Sequence, residues 1–131
     1  MKSFVPPGGE LEYSVLSSLF QLKKATAREV HTQLGEPGAL AYTTIATILD
    51  RLHDKGLVSR ERVGRAFLYQ PKVSREELER ARAEASLSQP LQADPNSTIA
   101  ALVDTLEATN PELLDRLAAL VNARRRARRG S

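Results

Sequence analysis

The chain has 131 residues and a formal net charge of +3, with 41% hydrophobic and 5% aromatic residues and neither Cys nor Trp. That length supports one domain, or a small domain with an appendage. The lack of cysteine excludes disulfides, zinc-finger chemistry and thiolate metal sensing by this chain. The opening MKSFVPPGGELEY has no apolar core of signal-peptide length, and no apolar run approaches the roughly 20 residues of a membrane helix. A cytoplasmic protein without membrane insertion is therefore expected.

Residues 1–8 are expected to be a flexible N-terminus, because Pro6, Pro7, Gly8 and Gly9 offer no regular pattern. A first helix is predicted from about Glu10 to Leu22, with Leu11, Val15, Leu19 and Leu22 on one stripe and Leu16 and Phe20 beside it. Thr26 and Glu29 stand three residues apart as a capping box that opens a second helix. Val30 and Leu34 face inward, Gly35 is its stop, and Glu36-Pro37-Gly38 makes the turn. A third helix is predicted from about Tyr42, with Ile45, Ile48, Leu49 and Leu52 on one inward stripe. Two short strands joined by a Gly64-Arg65 tip follow, holding Val58, Val63, Phe67 and Tyr69.

Charge concentrates around this hairpin. From Arg51 to Arg75 there are seven basic residues against two acids. Such a balance favours a polyanionic partner, although a solvated surface explains it too. The opposite face of the third helix carries Thr43, Ala46, Thr47 and Asp50, with Thr44 and Arg51 on its flanks. It is small and hydroxyl-rich, as suits entry into a DNA major groove. A helix followed by a basic hairpin is the working end of a winged helix-turn-helix, so the fold class is mainly α with a small β-hairpin.

Beyond Tyr69, Ser74 and Glu77 form a second capping box, starting a charged helix through roughly Ala85. A linker is expected near 86–98. Two amphipathic helices come next, the first with Ile99, Leu102, Val103 and Leu106 on one face. The second has Asn110 as N-cap, Pro111 at its first position, and Leu113, Leu114, Leu117, Leu120 and Val121 on one face. Lone helices of this length are marginal in water, and the same segment of a second chain is the expected cover. The division is then a DNA-binding domain over 9–73, a helical dimerisation region over 74–123 and a basic tail over 124–131. That tail, with Arg124, Arg125, Arg126, Arg128 and Arg129, either adds nonspecific DNA affinity or is a frayed end.

The stretches GELEYSVLSSLF, ATAREVHTQL, AYTTIATILDRLHDKGLV and GRAFLYQPKVSREEL together resemble the penicillinase repressor family of winged-helix regulators, the BlaI, MecI and CopY type. The match is good from Gly9 to about Ser74, while the C-terminal third agrees only in pattern, NPELLDRLAALV lying where the family carries dimerisation helices. The resemblance implies a homodimeric repressor whose third helix enters the major groove of each half of an inverted-repeat operator. Half-sites would lie roughly 34 Å apart, about one helical turn, or a multiple of that. It also implies a sensor protease as a further partner in the β-lactam-responsive branch. The copper-responsive branch releases DNA through C-terminal cysteines, which this chain lacks.

Individual positions carry paired readings. Thr43, Thr44 and Thr47 bond a phosphate or a base edge, or are ordinary polar residues of an exposed face. The Tyr42 hydroxyl reaches a phosphate, or its ring packs on the second helix. Ala41, at the N-cap without a capping oxygen, leaves free amides for a phosphate, or marks an ordinary uncapped end. Arg51 bonds the DNA backbone or a nearby acid. Arg65 crosses a phosphate or enters the minor groove, while Arg60 and Arg62 supply electrostatic attraction. Lys55 complements the C-terminal end of its helix. Asp50 accepts from a cytosine amino group, or pairs with Arg51 or Arg62. His31 and His53 have no spacing that suggests a metal site or catalytic pair, and surface or hairpin-packing roles are expected. No cofactor is expected, and no nucleophile-base set or Gly-rich phosphate loop points to an enzyme. The competing class is a winged-helix protein-interaction module with weak nonspecific DNA binding.

Overall fold

The computed structural model describes residues 4–38 and 40–130, except for the side chains of 35–38. The chain divides into two compact units, Met1–Ala85 and Ser86–Ser131.

In the first unit, α1 spans Glu10–Leu22, α2 Ala27–Gly38 and α3 Tyr42–Asp54. Three strands form an antiparallel sheet in the order β1-β3-β2: β1 is Ala25–Thr26, β2 Val58–Val63 and β3 Ala66–Pro71. The hairpin pairs Val63 with Ala66 and Arg60 with Tyr69. Its two-residue loop has positive φ only at Gly64 (64°), the pattern of a type II′ turn with Gly first.

The core sits where α1, α2 and α3 meet the sheet. Val15, Leu16, Leu19, Val30, Ile45, Leu49, Leu52 and Leu57 are wholly buried, each side chain contributing about 1.5–3 kcal/mol of transfer free energy. All four expected inward residues of α3 are buried. In α1 the stripe is shorter than expected, since Leu11 and Leu22 at its ends are exposed. Ser18 takes a core-facing place instead, its hydroxyl donating to the Gln33 amide oxygen.

Both capping boxes close. Thr26 N–H donates to Glu29 Oε1 at 2.8 Å and Glu29 N–H to Thr26 Oγ1 at 3.2 Å. The Ser74–Glu77 pair repeats this at 2.9 and 3.0 Å.

Several boundaries differ from the sequence expectation. Helix α2 does not stop at Gly35 but runs through the expected turn to Gly38. A single interior Gly costs a helix only about 1 kcal/mol, too little by itself to stop α2 at Gly35. Strand β1 was not expected; two residues are too few to show alternation, and pairing of Ala25 with Tyr69 and Thr26 with Leu68 creates it. The chain reaches that pairing through a sharp reversal at Lys23 (φ 72°, ψ −53°), closed by Lys24 N–H to Leu22 O at 2.9 Å. This is the strained positive-φ γ-turn. The N-terminal stretch is irregular but tied down from residue 4 on: Phe4 packs against the core, and Val5 N–H donates to Lys55 O at 2.8 Å. Residues 1–3 of the expected flexible segment lie outside the described residues.

Helix α4 spans Arg75–Ala93, so the expected linker is helical up to residue 93. Within the first unit it buries Leu78 and Ala81. There the Tyr13 hydroxyl donates to Glu79, and the Arg82 guanidinium lies 3.6 Å from the Tyr13 ring centroid.

In the second unit, α5 spans Pro95–Thr109 and α6 Glu112–Arg129. Within the expected linker, Asp94, Ser97 and Thr98 cap and bridge helices. Asp94 accepts from Ser97 N–H at 3.1 Å, and the Thr98 hydroxyl reaches Pro90 O at 2.8 Å. Asn110 Oδ1 accepts from Glu112 N–H at 3.1 Å, giving α6 the cap expected, with Pro111 already in helical conformation. Helix α6 continues through Arg129, so the basic tail is helical to that point, and Arg126, Arg128 and Arg129 complement the helix dipole. Neither α5 nor α6 buries a residue. Among the described residues, no helix is long and apolar enough to cross a membrane.

Candidate nucleic-acid interface

Helix α3 owes its exposed face to its sequence period. Burying Ile45, Ile48, Leu49 and Leu52 turns Thr43, Thr47 and Asp50 outward, and all three are exposed. Thr44 and Ala46 are half-buried at the flanks, and Arg51 is exposed. The helix begins at Ala41 (φ −74°, ψ 148°) with no side-chain cap, so its first amides point outward unsatisfied by any side chain.

The face is bordered on both sides. On one side Thr43, Thr44, Thr47 and Arg51 line a groove with Gly8, Gly9 and the start of α1. On the other, Tyr42, Ala46 and Asp50 line a groove with Arg28 of α2 and Arg65 and Phe67 of the wing. Arg28 lies between the two capping-box residues Thr26 and Glu29, with no sequence signal of its own for this place. What brings it here is the β1–β3 pairing, which sets the start of α2 beside the wing. A two-residue strand leaves no sequence signal for that.

Each candidate residue then has a place. Arg65 is exposed beside Gly64 at the wing tip. Tyr42 is 47% exposed and also meets the His31 ring edge-on at 6.0 Å. His31 Nε2 in turn bonds Leu40 O at 2.8 Å. His31 therefore braces the turn between α2 and α3, a role its sequence position did not reveal. The Thr47 hydroxyl donates to Thr43 O at 2.9 Å, which commits its proton and leaves its lone pairs and methyl outward.

Asp50 pairs with neither Arg51 nor Arg62. Its carboxylate accepts from Arg60 Nη1 at 2.7 Å. The Arg60 guanidinium also lies 4.3 Å from the Phe67 ring centroid, with Arg62 on the same ring at 5.2 Å. Hydrogen bonds with Asp50 and then Tyr69 raise the Arg60 pKa above its ordinary value. Lys55 reaches Glu12 Oε1 at 2.6 Å instead of only complementing its own helix end. Burial disfavours the charged form of Glu12. Hydrogen bonds from Lys55 and the Gly8 amide, with the charges of Lys55 and Arg51, outweigh it and lower its pKa. Among the described residues, no group of three or more His, Asp or Glu could hold a metal ion.

A three-helix core, a recognition-type helix and a basic two-stranded wing define a winged helix-turn-helix protein of the DNA-binding kind. The family model described as penicillinase repressor matches residues 8–123. The chain belongs to that family, and is a DNA-binding transcriptional repressor, not an enzyme. It is 37% identical over 110 residues to the transcriptional regulator BlaI of Mycobacterium tuberculosis, strains CDC 1551 and H37Rv, covering 83% of this chain and 78% of each relative. The solution structure of the DNA-binding domain of the repressor BlaI is similar, with a TM-score of 0.50 and 27% identity, over 59% of this chain and 93% of that one.

Proposed function

We propose that the chain represses transcription as a homodimer on an inverted-repeat operator. Residues 9–73 would form the DNA-binding domain, and 74–123 would supply the dimer contacts. The supporting observation is the α3 face: Thr43 and Thr47 outward, Thr44 half-buried at the flank, and an uncapped helix start, with Arg28 and Arg65 on the wing side. Threonine lone pairs and methyls suit base edges in the major groove. The free amides after Ala41 suit a phosphate, as do Tyr42 at the helix start and Arg51 at its far end. Arg65 at the wing tip suits a neighbouring phosphate or the minor groove. Arg62 adds attraction from the wing, and Arg60 acts through Asp50.

The dimer reading rests on α5 and α6. Ile99 and Leu120 are each 54% exposed and Val121 39%, with Leu102, Val103, Leu106, Leu113, Leu114 and Leu117 half-buried. Selection of bound sites from a random duplex library near physiological salt tests the whole reading. An enriched inverted repeat with half-sites about one turn apart, or a multiple, is expected. No enrichment from folded protein would favour the protein-interaction module.

A further inference from the structure

Asp50 is a misfit on a surface meant for a polyanion. It is exposed, its side chain 66% accessible, and it lines the groove between α3 and the wing together with Arg28 and Arg65. A lone carboxylate there would repel phosphate. Arg60, its partner at 2.7 Å, is only 25% accessible and lies against the Phe67 ring. It cannot turn outward without giving up both contacts.

We propose that Asp50 is a specificity-determining residue that holds Arg60 inside the protein and keeps it from neutralising a phosphate. The idea rests on the DNA-binding reading and refines it. Attraction to phosphate is the sequence-independent part of DNA binding. A repressor gains discrimination when part of its positive charge is withheld from that attraction. The pair also joins the middle of α3 to β2, so the wing is held against the helix by an internal bond, with Arg62 and Arg65 left as its exposed arginines. Arg60 on this account is a positioning residue and not a DNA contact.

Equilibrium titrations across a salt series, on a random duplex and on a selected site, test this with the full-length chain. D50N should bind the random duplex more tightly and steepen the dependence of log K on log salt by about 0.9, the increment of one phosphate neutralised. Its preference for the selected site should fall. R60M, which keeps an apolar stem on Phe67, should leave the slope as in wild type. D50N/R60M should return the slope to the wild-type value, showing that the D50N gain runs through Arg60. Circular dichroism melts check that each variant is folded, and R60K, which can still meet Asp50, should match wild type in slope and preference. The proposal is overturned by an unchanged D50N slope, by a gain that persists in the double variant, or by an R60M slope shallower by about 0.9. A wild-type chain that binds neither duplex would bring down the DNA-binding reading itself, and this inference with it.

Discussion

Lys55, just past the end of α3, reaches back to Glu12 in the first turn of α1, with Nζ 2.6 Å from Oε1. The same carboxylate accepts from the Gly8 amide at 3.0 Å. One side chain thus fastens the N-terminal stretch, the start of α1 and the end of α3. That places Gly8 and Gly9 along the outward threonines. The pair is partly shielded, Lys55 being 25% and Glu12 14% accessible.

Glu12→Gln should lower stability at pH 7 by about 1–2 kcal/mol, between the values of exposed and fully buried pairs. The folded-state pKa of Glu12 lies below its ordinary 4.5. Its contribution is therefore complete above the unfolded value and disappears as pH falls through the folded one. Denaturant melts of both proteins should differ at pH 7 and converge below pH 4.5. A gap that persists undiminished in acid would mean the glutamate matters for packing and not for charge.

The missing cap at Ala41 separates stability from DNA affinity. Ala41→Asp supplies an oxygen for the first-turn amides and a favourable charge at the helix start, which should raise stability by about 0.5–2 kcal/mol. The same carboxylate would occupy and repel the site proposed for a phosphate. Thermal melts should thus show a gain while duplex titrations show a loss on every sequence. A variant that is stabilised and binds DNA as before would show the cap position to be an ordinary uncapped end.

How much of this was legible in the sequence depends on the range of the interaction. Helices α1 and α3, both capping boxes and the Gly64-Arg65 tip are written in residues one to four apart, and all could be read. Strand β1 could not, because it exists only where Ala25 and Thr26 meet Tyr69 and Leu68. Pairing of Asp50 with Arg60 was missed for a similar reason. The charges were evident, but Arg60 and Arg62 share one face of β2, and which of them meets Asp50 is set by where along the strand α3 lies. The expected linker failed differently: Asp94, Ser97 and Thr98 are polar because they cap and bridge helices, and composition alone reads that as loop.

Thr47 offers DNA an acceptor and a methyl but no proton, since its hydroxyl already donates to Thr43 O. Phosphates need donors, so a role for Thr47 falls on base edges. Thr47→Val keeps the methyl and removes the acceptor, and Thr47→Ser does the reverse. Both should reduce discrimination by about 1–3 kcal/mol at one base-pair position if that position is read directly. Site selection should relax at the same position in each variant, with the salt slope unchanged. Uniform weakening on all duplexes would instead make Thr47 a backbone contact that rotates its hydroxyl on binding.

Leu120 tests the assembly. Ordering a residue costs about 1–2 kcal/mol of backbone entropy, and a pair of helices that buries no residue, as α5 and α6 do, cannot offset that alone. Leu120 is 54% exposed, so Leu120→Glu should disturb the isolated chain little while placing a charge in the proposed seam. Sedimentation velocity should show wild-type dimers and a variant shifted to monomers. Affinity for a single half-site should persist, while the advantage of an inverted repeat over a half-site should disappear. A variant still dimeric at micromolar concentration would move the seam elsewhere, with exposed Leu87 and Leu91 of α4 the next residues to change.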